Sequence, residues 1–310
     1  MQIDVKNLTY TFSKKTKSAH VALKNINCTI KQGEFIGIIG QTGSGKTTLV
    51  EHLNGLLIPQ EGTVEWTFMN ERMNKKTEQK ETFNDCVVSK YNRMNKLKKV
   101  KDIRKRVGVV FQFAEYQLFE ETIQADIAYG PKTFGVPKKE ALERAGEYLK
   151  LVGLDESYLK KSPFELSGGQ KRRVALAGIL AMEPDFLIAD EPTAGLDPVG
   201  VVEILNIFKK LHEQGKTIII VTHDLDNVLE YTNRVLILKD GELVKDGPTY
   251  ETLKDVDFLK ANYMEPPRLL NFIDKLEKRG LNVPKVASID ELATFLNHHL
   301  ASKRKGGNHE

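Results

Sequence analysis

The first residues able to do chemistry are consecutive: Gly40-Gln41-Thr42-Gly43-Ser44-Gly45-Lys46-Thr47, a Gly-x-x-x-x-Gly-Lys-Thr pattern with Thr48 directly after it. Glycines let a loop wrap its NH groups around a phosphate chain, and the positive end of a following helix adds to the field. In such a loop the lysine contacts the β- and γ-phosphates and the threonine hydroxyl reaches magnesium. A glycine-rich turn beside a surface lysine is the bland alternative. The apolar run Phe35 to Ile39 before the loop and the helical pattern after it argue against that alternative.

A phosphate loop alone means only nucleoside triphosphate, so its partners must decide. Phe186-Leu187-Ile188-Ala189-Asp190-Glu191 is an apolar strand ending in two acids. Asp190 is expected in the magnesium shell. Glu191, across the strand alternation, is expected to orient and deprotonate a water. Paired acids are common, and the following Pro192-Thr193 and the distance from the loop give this pair its specificity. Leu166-Ser167-Gly168-Gly169-Gln170 places a second set of backbone donors at a helix start. One phosphate loop already cradles its nucleotide, so the second set calls for another nucleotide or another chain.

The elements that position these residues read as a parallel α/β sheet. Early strands (Ile3 to Leu8, Asn27 to Ile30, Phe35 to Ile39) lead into the loop. Helical patterns cover Thr122 to Thr133, Lys138 to Val152, Gly168 to Met182 and Pro198 to His212, with buried strands at Asp185 to Ala189 and Thr217 to Val221. Val235 to Lys239 and Glu242 to Lys245 form a hairpin across Asp240-Gly241. Beyond Pro248 the pattern is helical, with a break at Glu265-Pro266-Pro267.

With 40% hydrophobic and 28% charged residues the chain is expected to fold as a globular protein. Cys28 and Cys86 make no disulfide framework, and no apolar run reaches membrane-spanning length. No secretory signal is expected behind Met1-Gln2-Ile3-Asp4. The net charge of +4 hides an imbalance: Asn70 to Arg106 holds thirteen Lys or Arg against five Asp or Glu. With few apolar anchors, this insertion (about 70–105) reads as a solvated, mobile excursion, with lipid headgroups and then nucleic acid as weaker readings. Deleting Lys75 to Lys101 is then expected to leave ATPase activity nearly unchanged.

These motifs, in this order, resemble the ABC (ATP-binding cassette) ATPases over about residues 1–247. The resemblance implies an α/β fold: a P-loop NTPase core with an antiparallel β subdomain and a helical subdomain, followed at 248–310 by a small helical extension associated with the dimer. It implies ATP and Mg2+ as ligands, with Thr47, Gln112 and Asp190 at the metal, and a site shared by two chains. Ser167, Gly168, Gly169 and Gln170 of one chain cap the γ-phosphate bound to the other. By position, Phe12 matches the aromatic that stacks on adenine, Asp197 lies in the loop crossing the dimer interface, and His223 is the histidine at the γ-phosphate. Glu191, His223 and Lys46 are the catalytic expectations. Phe12 stands where tyrosine is common and Gly195 where alanine or leucine is frequent; neither is expected to abolish turnover.

Longer stretches are similar to energy-coupling factor (ECF) transporter ATPases, particularly the second ATPase subunit. They include Phe111 to Phe119 with Glu120 to Ile123, Asp126 to Pro131, Arg172 to Pro184 and Glu191 to Pro198. That resemblance implies a paralogous ATPase partner (or a second copy), a transmembrane coupling subunit and a substrate-binding membrane subunit. It implies a peripheral place on the cytoplasmic face of the cell membrane, uptake of vitamins or transition-metal ions, and no nucleic-acid partner. Phe113, Tyr116, Leu118 and Phe119 point to a groove for a partner helix or to local packing. Other classes are the ATPase of a different ABC importer and a soluble ABC ATPase of translation or DNA repair. The second cassette or long coiled coil usual in the soluble class is not visible.

Overall fold

The computed structural model describes residues 1–73, 80–92, 96–286 and 288–306. Its strands are β1 (Gln2–Phe12), β2 (His20–Lys31), β3 (Phe35–Ile39), β4 (Glu61–Met73), β5 (Lys80–Lys90), β6 (Val107–Val110), β7 (Phe186–Asp190), β8 (Thr217–Val221), β9 (Arg234–Lys239) and β10 (Glu242–Pro248). The helices are α1 (Lys46–Leu53), α2 (Val100–Arg106), α3 (Ile123–Thr133), α4 (Lys138–Leu151), α5 (Gly168–Leu180), α6 (Pro198–Glu213), α7 (Leu225–Tyr231), α8 (Thr249–Leu253), α9 (Val256–Ala261), α10 (Arg268–Glu277) and α11 (Ile289–Gly306).

Two sheets result. One runs β10-β9-β3-β8-β7-β6 and is parallel except where β10 turns back on β9; the other is antiparallel, in the order β2-β1-β4-β5. The central strands β3, β7 and β8 are buried throughout and largely apolar because both faces are covered. Phe35, Ile39, Leu187, Ile218 and Ile220 join the core shared with the helices, including Ile127, Leu176 and Phe208. Their alternates Ile36, Ile38, Phe186, Ile188 and Ile219 pack with α1 and with Ile3, Ile26 and Trp66 of the antiparallel sheet. The period of two along each strand therefore divides one sheet between two cores.

The basic stretch departs from its expectation as a solvated excursion. Its described part contains β5, which pairs with β4 from Thr63↔Lys90 to Met73↔Lys80, followed by α2 with Ile103 fully buried. The buried positions of β5 are Asp85, Val87 and Ser89, and Lys99 Nζ reaches Asp85 at 2.7 Å. Residues 74–79 and 93–95 of this stretch lie outside the described residues. At the other end of the chain, Leu253, Leu259, Leu269, Leu270, Ile273 and Leu292 are buried in the same core as the helices of the main body, while Phe272 and Leu300 are exposed. Among the described residues no helix is long and apolar enough to cross a membrane.

Candidate functional site

β3 leaves the core at Gly40, whose φ is 149° and where a Cβ would stand 2.2 Å from the Leu238 carbonyl oxygen. Gly45 (φ 101°) begins α1 without a capping side chain, and a Cβ there would meet the Ala22 carbonyl oxygen at 2.5 Å. Only glycine serves at either place. The loop is thus forced into a tight arch that leaves the first NH groups of α1 without side-chain acceptors. Lys46 Nζ donates to the carbonyls of Gly40 (2.7 Å) and Gln41 (2.8 Å). Ser44 is buried, and its Oγ has no hydrogen-bond partner among the described residues.

The next two strands along the sheet from β3, first β8 and then β7, lead to the histidine and the acids. Asp190, the last residue of β7, accepts from Thr47 Oγ1 at 2.9 Å. Burial pushes its carboxyl above the usual range, partly offset by that hydrogen bond. Burial also pulls the Lys46 ammonium down, against the attraction of Glu191 and Asp190. A phosphate chain against Lys46 would favour its charged form. Glu191 is not, as the strand alternation predicts, simply the opposite face of β7. It lies one residue beyond the strand at φ 48°, with its NH donating to the Val221 carbonyl at 2.8 Å. This turn carries its carboxylate to His223, where Oε1 lies 2.9 Å from Nδ1, and to Thr222, whose Oγ1 donates to Oε2 at 3.4 Å. Thr222 was not singled out from the sequence, although it stands directly before His223 at the end of β8.

These groups line a cleft of about 410 Å³ that also takes in Phe12, His20, Thr42, Gly43, Thr48 and Gln112. A second cavity of about 600 Å³ opens on Gln41, Lys46, Glu191 and His223 from the side of Tyr263 and Met264, residues with no sequence motif to announce them. The residues fit a nucleoside triphosphate: an aromatic ring at one end, a glycine arch and a lysine. Among the described residues no three His, Cys, Asp or Glu side chains cluster around a metal position. A cation beside Thr47, Gln112 and Asp190 would therefore complete its shell with phosphate and water oxygens, as magnesium does.

The second donor cluster lies elsewhere. Ser167 caps α5 in a reciprocal box with Gln170: Gln170 NH donates to Ser167 Oγ at 3.3 Å, and Ser167 NH to Gln170 Oε1 at 3.0 Å. Gly168 is exposed, and none of Ser167, Gly168, Gly169 or Gln170 lines either cavity. Asp197 is also away from the cleft, capping α6 by accepting from Gly200 NH at 2.7 Å. Arg172 of α5 joins three segments: its guanidinium makes paired bonds to Glu115 (3.0 and 3.2 Å) and donates to the Ala194 carbonyl. Of the four apolar residues after Gln112, Leu118 is buried, whereas Phe113, Tyr116 and Phe119 are exposed. Phe119 and Leu118 border a groove of about 300 Å³ with Tyr129, Phe134 and Met182.

Comparison with known proteins follows the same lines. The ABC transporter family matches residues 23–194. The chain is 58% identical over 305 residues to the energy-coupling factor transporter ATP-binding protein EcfA2 of Mycoplasmopsis synoviae (strain 53), covering 98% of each. It is 46% identical to the protein of that name from Latilactobacillus sakei subsp. sakei (strain 23K), covering 99% of this chain and 100% of the other. Among solved structures, cbiO1 from Clostridium perfringens, part of the ABC transporter complex cbiONQ, superposes with a TM-score of 0.65 at 35% identity, covering 88% of this chain and 98% of that one. A dimeric ATP-binding cassette in a post-hydrolysis state, bound to ADP and Pi, also gives a TM-score of 0.65, at 32% identity over 80% of this chain and 98% of its own. With its nucleotide cleft, its displaced second donor cluster and these relatives, the chain belongs to the ABC transporter ATPases, in the branch of energy-coupling factor transporter ATP-binding proteins.

Proposed function

We propose that this chain is the ATP-hydrolysing subunit of an ECF-type transporter, pairing with a related ATPase chain or a second copy on the cytoplasmic face of the membrane. It drives uptake of vitamins or transition-metal ions through separate coupling and substrate-binding membrane subunits. The observation that carries the reading is the Glu191–His223 pair standing across from Lys46 and the Thr47–Asp190 pair, at the ends of three adjacent parallel strands.

Adenine lies against Phe12, and the loop Gly40 to Thr48 holds the phosphates with its NH groups, the Ser44 hydroxyl and Lys46. Thr47, Gln112 and Asp190 hold Mg2+, which when bound neutralises phosphate charge and polarises the γ-phosphoryl group. Glu191 accepts a proton from the attacking water, whose oxygen bonds to the γ-phosphorus as the bond to the ADP oxygen breaks, releasing ADP and phosphate. His223, hydrogen-bonded to Glu191, fixes the carboxylate and faces the γ-phosphate. Ser167 to Gln170 and Asp197 act across the interface, on the nucleotide of the partner chain. The groove beside Phe119 receives a helix of the coupling subunit, by the chemistry of its apolar walls.

The test combines two measurements. Glu191→Gln is expected to lower turnover at least about a hundredfold while ATP affinity stays within about twofold; full residual turnover would remove Glu191 from its role. Purification of the native chain from membranes is expected to bring down integral membrane proteins and an ATPase partner. Recovery of ribosomal or DNA-bound partners alone would overturn the transport reading.

A further inference from the structure

Beneath Phe12 lies a stack of rings that nucleotide binding as described leaves unused. Tyr10, two residues back on β1, meets the Phe12 ring edge to face, with centroids 5.0 Å apart at 79°. Tyr10 stands edge to face in turn on His52 of α1, at 4.9 Å and 73°. His52 is fully buried, and its Nδ1 lies 2.7 Å from the Thr48 carbonyl oxygen. A carbonyl only accepts, so Nδ1 carries the proton and Nε2 is left with a bare lone pair, which has no partner among the described residues. A leucine would fill that space without burying an unpaired acceptor, so packing alone does not account for the imidazole. Gln60 grips the strand end from its edge: Thr11 NH donates to its Oε1 at 3.0 Å, and its Nε2 donates to the Thr11 carbonyl at 2.8 Å.

We propose that Tyr10 and His52 are positioning residues for base recognition, a ring stack that fixes the base-facing Phe12 relative to the helix that begins the phosphate site. The foot of the stack is bonded to Thr48, in the first turn of α1 and itself on the wall of the cleft; its top is the ring at the far end of that cleft. The two ends of one ligand are thereby referenced to each other through three rings and not through the loop between them. The inference rests on the stacking of adenine on Phe12.

The experiment compares equilibrium binding of ATP and of inorganic tripolyphosphate to the full chain. Tyr10→Leu keeps most of the volume and loses the ring; it is expected to weaken ATP binding roughly threefold to tenfold, with tripolyphosphate binding unchanged. His52→Leu shifts ATP binding in the same direction, and Tyr10→Phe, which keeps the ring, stays within about twofold of the parent. Intact tripolyphosphate binding certifies that each variant is folded. Equal loss for both ligands, or no loss for either, overturns the stack as a positioning device. Phe12→Ala measured alongside separates the two layers. If it weakens ATP binding while Tyr10→Leu does not, the stack fails alone; if neither matters, adenine stacking on Phe12 fails with it.

Discussion

Lys46, Thr47, Asp190 and His223 line one cleft, and at the phosphate loop motif and backbone requirement coincide: the arch that needs Gly40 and Gly45 also carries the lysine and threonine. Glu191 was legible as a residue but not as a geometry, since a left-handed φ after a strand leaves no mark in side-chain alternation. His52 was not legible at all, because a single histidine near the end of a short helix reads as ordinary packing. Burial lowers its pKa to about 4 from an ordinary 6.5. Between those values the unfolded chain binds a proton that the folded chain refuses, so this contribution is complete above about pH 6.5 and is lost as pH falls toward 4. Urea unfolding as a function of pH is expected to show stability falling over this window by up to roughly 3 kcal/mol, and a shallower fall in His52→Leu. Equal slopes for the two proteins would remove His52 as the source.

At the scale of elements, apolar periodicity gave α3 to α6 and the central strands β3, β7 and β8 to within a residue or two, because strands buried on both faces leave little ambiguity, while α2 and α7 went unread. It failed on β5, and the reason is chemical. Of the three buried positions on that strand only Val87 is apolar; Asp85 is paired with Lys99, and Ser89 is buried beside it in the alternation, with half-buried Glu81 and Phe83 completing the same face. A strand whose inner face is largely polar carries no alternating signal. The consequence reverses the expectation for deletion of Lys75 to Lys101. That deletion removes β5, uncovering the edge of β4 beside the fully buried Trp66. It is expected to lower the melting temperature by roughly 5 °C or more, measured by calorimetry, and to promote association through the bared strand. An unchanged melting curve would return the segment to the status of an appendage.

The whole molecule presents its two sets of backbone donors on different ground, one inside the cleft and one exposed at the start of α5. A substitution at the second set therefore separates binding from turnover. A Cβ at Gly169 meets only Leu196 Cδ2, at an ordinary 3.8 Å, so Gly169→Asp is accommodated by the fold. The chain is expected to bind ATP in its own cleft as before, while hydrolysis by the assembled complex falls about tenfold or more as a carboxylate is set beside the backbone donors that the proposed function turns toward the partner's phosphate. Loss of ATP affinity in the isolated variant would contradict the division. Arg172, bonded to both Glu115 and the Ala194 carbonyl, ties the start of α5 to the segments that follow Gln112 and Glu191.

That separation also bears on how a cell tolerates unequal synthesis of the subunits. On the proposed reading, a copy made in excess of its partners carries a cleft and half of a neighbour's site, but not the donors that complete its own. Where the partner is a related ATPase chain and not a second copy, surplus copies hold nucleotide without consuming it, and gene dosage alters the number of transporters without draining the ATP pool.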